Sequence, residues 1–115
     1  MGLRECAVYV KQCCGLDSVR WFGQEKQQIL RMALVPGSGK SFVRQAIEKG
    51  ADVLLTGDIG HHDGLDAQEQ GLAIIDAGHY GLEKIFSPYW EEVLKRELPG
   101  VEIYQAREEA PFQID

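Results

Sequence analysis

Asp52-Val-Leu-Leu-Thr-Gly-Asp-Ile-Gly-His-His-Asp-Gly-Leu-Asp-Ala-Gln-Glu-Gln-Gly-Leu-Ala-Ile-Ile-Asp-Ala-Gly-His79 is the stretch that decides the fold. Its two ends, Asp52–Thr56 and Leu72–Ala77, are apolar runs without alternation. That pattern belongs to strands covered on both faces, as in a parallel sheet. Between them, Asp63 to Gln70 reads as a short helix closed by Gly71.

Outward from this unit the alternation continues. Towards the N-terminus, Ser41 to Lys49 predicts an amphipathic helix with Phe42, Val43, Ala46 and Ile47 inward and Gly50 as its stop. Ile29 to Val35 predicts a strand broken by Pro36 and Gly37, and Ser18 to Phe22 another. Leu3, Ala7, Val10 and Cys14 fall at helical spacing before Gly15. Towards the C-terminus, Ser87 and Pro88 read as the cap and first residue of a helix. Its stripe of Tyr89, Trp90, Val93 and Leu94 is expected to pack inward, and Val101 to Gln105 is expected to form a last strand. Strands alternating with helices predict an α/β layered sandwich, with a mixed, largely parallel sheet flanked by helices. A length of 115 residues suits one domain across residues 1–115.

Composition narrows the function. Twelve Lys plus Arg against 18 Asp plus Glu give a net charge of −6, which is unfavourable for a nucleic-acid partner. Cys6, Cys13 and Cys14 have neither disulfide-framework nor zinc-knuckle spacing. They read as thiols of a reducing, cytoplasmic location. No apolar run approaches the length that spans a bilayer, so no membrane is expected.

The strand order carries a second consequence. Gly37-Ser-Gly39, Gly57-Asp58 and Gly78-His79 each follow a strand. In an open α/β sheet such loops share the carboxyl edge, where ligands bind. His79 and Glu83 lie one helical turn apart, so both heads can converge as ligands for a borderline divalent metal. The same spacing also fits a carboxylate that only favours a helix N-terminus. Adjacent His61 and His62 point apart on regular backbone, which leaves one to face the cleft, and Asp63 or Asp66 reads as a helix cap. Gly39-Lys40-Ser41 ends like a phosphate-binding P-loop, but Leu34 stands where that motif needs its first Gly. What survives is a Gly-rich turn able to hold one anion.

Gly50-Ala-Asp-Val-Leu-Leu-Thr-Gly-Asp-Ile-Gly-His-His-Asp63 and Ile74-Ile-Asp-Ala-Gly-His-Tyr-Gly-Leu-Glu83 closely resemble the C-terminal part of the NGG-one-interacting-factor-three-like proteins. Gly15-Leu-Asp17, Gly37-Ser-Gly39 and Pro111-Phe112 support the resemblance. Several bacterial members are known as GTP cyclohydrolase type 2 homologues. The resemblance implies an α/β protomer of a toroidal homo-hexamer with a dinuclear metal centre. It implies metal ligation by His79 and Glu83, with His62 and Asp58 beside them as acid/base and orienting groups. It implies a metal of the zinc, iron or manganese class, a small anionic substrate and hydrolytic chemistry. In this family the remaining ligands come from an N-terminal half that this chain is expected to lack. The chain is therefore expected to carry part of the site and to be catalytically incomplete alone. The competing expectation is a non-catalytic oligomerisation or partner-binding module.

Overall fold

In the computed structural model, which describes residues 1–115, β1 (Arg20–Phe22), β2 (Met32–Ser38), β3 (Val53–Gly57) and β4 (Ala73–Asp76) form one sheet. The strand order is β1-β4-β3-β2, with β2, β3 and β4 parallel and β1 antiparallel to β4. Every residue of the central pair β3 and β4 is buried, as their unalternating sequence requires. On one face, α1 (Leu3–Cys13) packs Leu3, Cys6, Ala7 and Val10 against Val53, Leu55, Ala73 and Ile75. On the other, α2 (Val43–Glu48) and α3 (His61–Glu69) bring Ala46 and Ala67 onto Leu54, Leu72 and Ile74. The α/β sandwich with its mixed, mostly parallel sheet is the architecture the sequence predicts.

Several details differ. β2 continues through Pro36 and Gly37 to Ser38, with an irregular register between Leu34 and Ser38. As an edge strand it tolerates a residue that cannot donate to the ladder. A single 3-10 turn, Lys40–Phe42, precedes α2, and Phe42 is exposed. α3 begins at His61, so Asp63 lies in its first turn. The short α4 (His79–Glu83) follows β4, and α5 (Phe86–Glu97) begins one residue before Ser87. Pro88 thus sits in the first turn, where its missing N–H has no intrahelical partner to lose. Val101 to Gln105 forms no strand, because no strand edge lies alongside it.

The largest departure is α5, none of whose residues is buried. Tyr89 and Trp90 are 62% and 43% exposed, so the helical period was legible but the expected inward packing does not occur within this chain. No helix is long and apolar enough to cross a membrane.

Candidate functional site

The site is built by three strand-to-loop transitions. β3 ends at Gly57, and Asp58 follows in the left-handed region at φ 57°, an uncommon conformation for a residue with a side chain. β4 ends at Asp76, and Gly78, with φ 76° and ψ 157°, turns the chain into α4. That backbone region is open essentially to glycine alone. β2 ends beside them, with Gly37 at φ 75°. A Cβ at Gly37 would lie 3.0 Å from Glu83 Oε1 and 3.4 Å from His79 Nε2. All three predicted loops therefore meet at the carboxyl edge of the sheet.

His79 is the hub. Its Nδ1 lies 2.8 Å from Asp58 Oδ2, and its Nε2 lies 3.0 Å from Glu83 Oε1. Two carboxylates facing both ring nitrogens favour the imidazolium. The hydrogen bond to Asp58 is the largest influence raising the His79 pKa above its ordinary 6.5, followed by the Glu83 charge, while desolvation opposes them. With the folded value raised, the interaction supports folding fully below about pH 6.5 and is lost as pH rises through the folded value. All three side chains are about half exposed, so this contribution is small and screened by salt. In a proton NMR titration, His79 is expected to titrate above 6.5 and Asp58→Asn to move its midpoint down. An unchanged midpoint in the variant would contradict the Asp58 bond.

A metal requires one of these nitrogens free of its proton. The Nε2–Glu83 side offers an imidazole nitrogen and a carboxylate oxygen in register. Asp58 would keep hold of Nδ1–H, the arrangement that orients histidine ligands in metal sites. Such nitrogen and oxygen donors suit zinc, iron or manganese. The donor set thus fits one flank of a metal centre. No group of three or more His, Cys, Asp or Glu side chains converges to complete one within this chain.

Not every candidate joins this cluster. His62 is exposed in the first turn of α3, its ring edge-on to His61 at 5.2 Å between centroids. It makes no hydrogen bond or ion pair with Asp58, His79 or Glu83. The Arg44 charge is turned to Glu48 at 2.9 Å, which leaves Lys40 as the cation of the Gly-rich turn. Three features escaped the sequence reading: the Asp58–His79 bond, the contact of Gly37 with the His79–Glu83 pair, and the burial of Asp76 beneath the loops. For Asp76 the signal was a charged residue closing a wholly apolar strand. Beside Glu83 opens a cavity of about 990 Å³, lined among others by Leu34, Pro36, Tyr80, Ile85, Phe86 and Tyr89.

Comparison with known proteins places this geometry in context. The family model described as Duf34/NIF3 (NGG1p interacting factor 3) matches residues 1–111. A Staphylococcus aureus protein named GTP cyclohydrolase 1 type 2 homolog is 45% identical over 80 residues, which are 70% of this chain and 22% of that protein. A Staphylococcus epidermidis protein of the same name is 40% identical over 98 residues, 85% of this chain and 26% of that one. The crystal structure of a Staphylococcus aureus hypothetical protein superposes with a TM-score of 0.84 at 34% identity, covering all of this chain and 40% of the other. A Bacillus cereus protein related to NIF3 gives 0.80 at 29% identity, over all of this chain and 33% of the other. The chain spans about a quarter of the curated relatives' length that it matches.

Proposed function

The chain belongs to the Duf34/NIF3 family, and from that premise we propose that it supplies the C-terminal half of a metal-dependent, hydrolytic site. His79 and Glu83 are the metal ligands on this half, and Asp58 orients the imidazole through Nδ1. The observation that carries this reading is the three-residue chain Asp58–His79–Glu83, which joins the loops after β3 and β4 through Nδ1 and turns Nε2 to the carboxylate one turn along α4. A metal held there would lower the pKa of a bound water and polarise a phosphoryl or ring atom. The residues of this chain do the rest. The carboxylates orient the ring, and the cavity beside Glu83 receives the body of a small ligand. His62 serves as an acid/base group only when the substrate or another part of the protein brings the cleft to it.

Half of a four-ligand set implies roughly 5–8 kcal/mol of binding, or a Kd of about 1–200 µM for zinc. Equilibrium dialysis of the chain against zinc or manganese tests this. Uptake in that range supports the reading, and no uptake at millimolar metal would sink it.

One observation favours a second reading, a docking or oligomerisation module. Phe86, Tyr89 and Trp90 on α5 stand exposed, and an apolar face of this kind suits burial against more protein. The two readings are compatible if the site is completed by whatever covers that face. A homo-oligomer such as a hexamer, or an N-terminal half of the same family, would each provide that cover.

A further inference from the structure

We propose that Asp76 is the positioning residue of this site, its buried carboxylate locking the Asp58 loop and the His79 loop to one another. Its functional meaning rests on the metal-site reading above; its geometric content does not.

Asp76 closes β4 and is 8% exposed. It touches neither His79 nor Asp58 by its side chain, yet it holds the backbone beside each. Oδ1 accepts the Gly78 N–H at 3.0 Å, one residue before His79. Oδ2 accepts the Ile59 N–H at 3.2 Å, on the peptide that follows Asp58. The same oxygen accepts Arg20 Nη2 from β1 at 2.6 Å, and Arg20 Nη2 also donates to the Ile59 carbonyl. One carboxylate therefore ties three segments: the edge strand β1, the loop after β3 and the loop after β4. Asp58 is held at its positive φ, and Gly78 at its glycine-only conformation, by bonds to the same group.

A carboxylate suits this position because it offers two acceptor oxygens to donors from three segments. Burying a charge costs free energy that an ion pair and two N–H bonds only offset. An apolar residue at the end of β4 would leave the Ile59 and Gly78 N–H groups and the Arg20 guanidinium without this acceptor, and it could not tie the two loops together. All the Asp76 partners are donors. An Asn at this position must turn its NH2 group onto one of them, which releases one loop. The His79 imidazole then loses its fixed approach to Asp58, although neither ring nor carboxylate has been altered.

The test compares wild type, Asp76→Asn and Arg20→Lys with Val10→Ala, a destabilising change in the core face of α1 that removes none of the Asp76 hydrogen bonds. Two readouts are taken at one pH: the ring 15N shifts of His79 in the metal-free chain, and the Kd for zinc by dialysis. In wild type, the ring is expected to show Nδ1 held by Asp58. In Asp76→Asn the shifts should move towards those of a mobile imidazole, and the zinc Kd should weaken about tenfold or more. Arg20→Lys keeps a charge on a shorter side chain, which draws the donor back from the Ile59 carbonyl and from Asp76 Oδ2, so it should shift both readouts in the same direction by less. Val10→Ala should lower Tm and leave both readouts unchanged. Wild-type ring shifts in folded Asp76→Asn would overturn the proposal. Should that variant not fold, wild-type shifts in Arg20→Lys would overturn it equally. A loosened ring in the variants, with no zinc uptake by any chain including wild type, would sink the metal reading and leave the positioning role standing.

Discussion

Replacing His79 by alanine is expected to cut the zinc affinity of the chain on the order of a hundredfold. A full structural zinc site is worth roughly 10–16 kcal/mol over four ligands, so one imidazole represents about 3 kcal/mol, or two decades in Kd. The loss should exceed that of either carboxylate variant, because His79 is the member that both others touch. Glu83→Gln removes the second donor but leaves the imidazole oriented by Asp58. Asp58→Asn removes the orienting partner and should cost about ten- to a hundredfold. The fold should survive His79→Ala, since the ring is 48% exposed and supports no core packing. Calorimetric titration with zinc, beside far-UV circular dichroism, measures both halves of this expectation. Equal affinity in wild type and His79→Ala would mean that any bound metal sits elsewhere, for example at His61 and His62.

The second large effect is expected at Gly57, where β3 passes under the loop from β4. A Cβ there would meet His79 N at 2.5 Å and the Gly78 carbonyl oxygen at 2.6 Å, with the Gly78 carbonyl carbon closer still. These are peptide atoms, which cannot swing aside as a side chain can. Gly57→Ala must therefore push the Gly78–His79 loop away from the sheet edge. Overpacking of this kind costs about 1–3 kcal/mol, which corresponds to a drop in Tm of roughly 4–12 °C for a domain of this size. Because the displaced loop carries the ring we propose as a metal ligand, zinc affinity should fall with Tm. A native Tm together with native zinc affinity in Gly57→Ala would contradict the close approach.

These residues also show what a sequence can disclose. β3 and β4 were legible because burial on both faces removes the polar alternation, a property of each segment by itself. The shared edge of the three loops followed from strand order, and the convergence of His79 with Glu83 followed from helical spacing within one turn. The Asp58–His79 bond was not legible, because it joins residues 21 apart whose approach depends on the left-handed turn at Asp58. Asp76 was hidden for a similar reason. An acid after an apolar run has many uses, and only Ile59 and Gly78 converging on it reveal this one. On α5 the period of Tyr89, Trp90, Val93 and Leu94 gave the helix correctly but carries no information on what lies opposite. The expected strand at Val101 to Gln105 failed on the same point, since alternation alone does not supply a neighbouring edge.

The most direct test of the metal half-site is anomalous diffraction at the zinc edge from crystals of the chain soaked in zinc. The account predicts a peak between the His79 imidazole and the Glu83 carboxylate, with Nδ1 of the ring still bound to Asp58. A peak only at other residues, with His79 still bridging the two carboxylates, would contradict it.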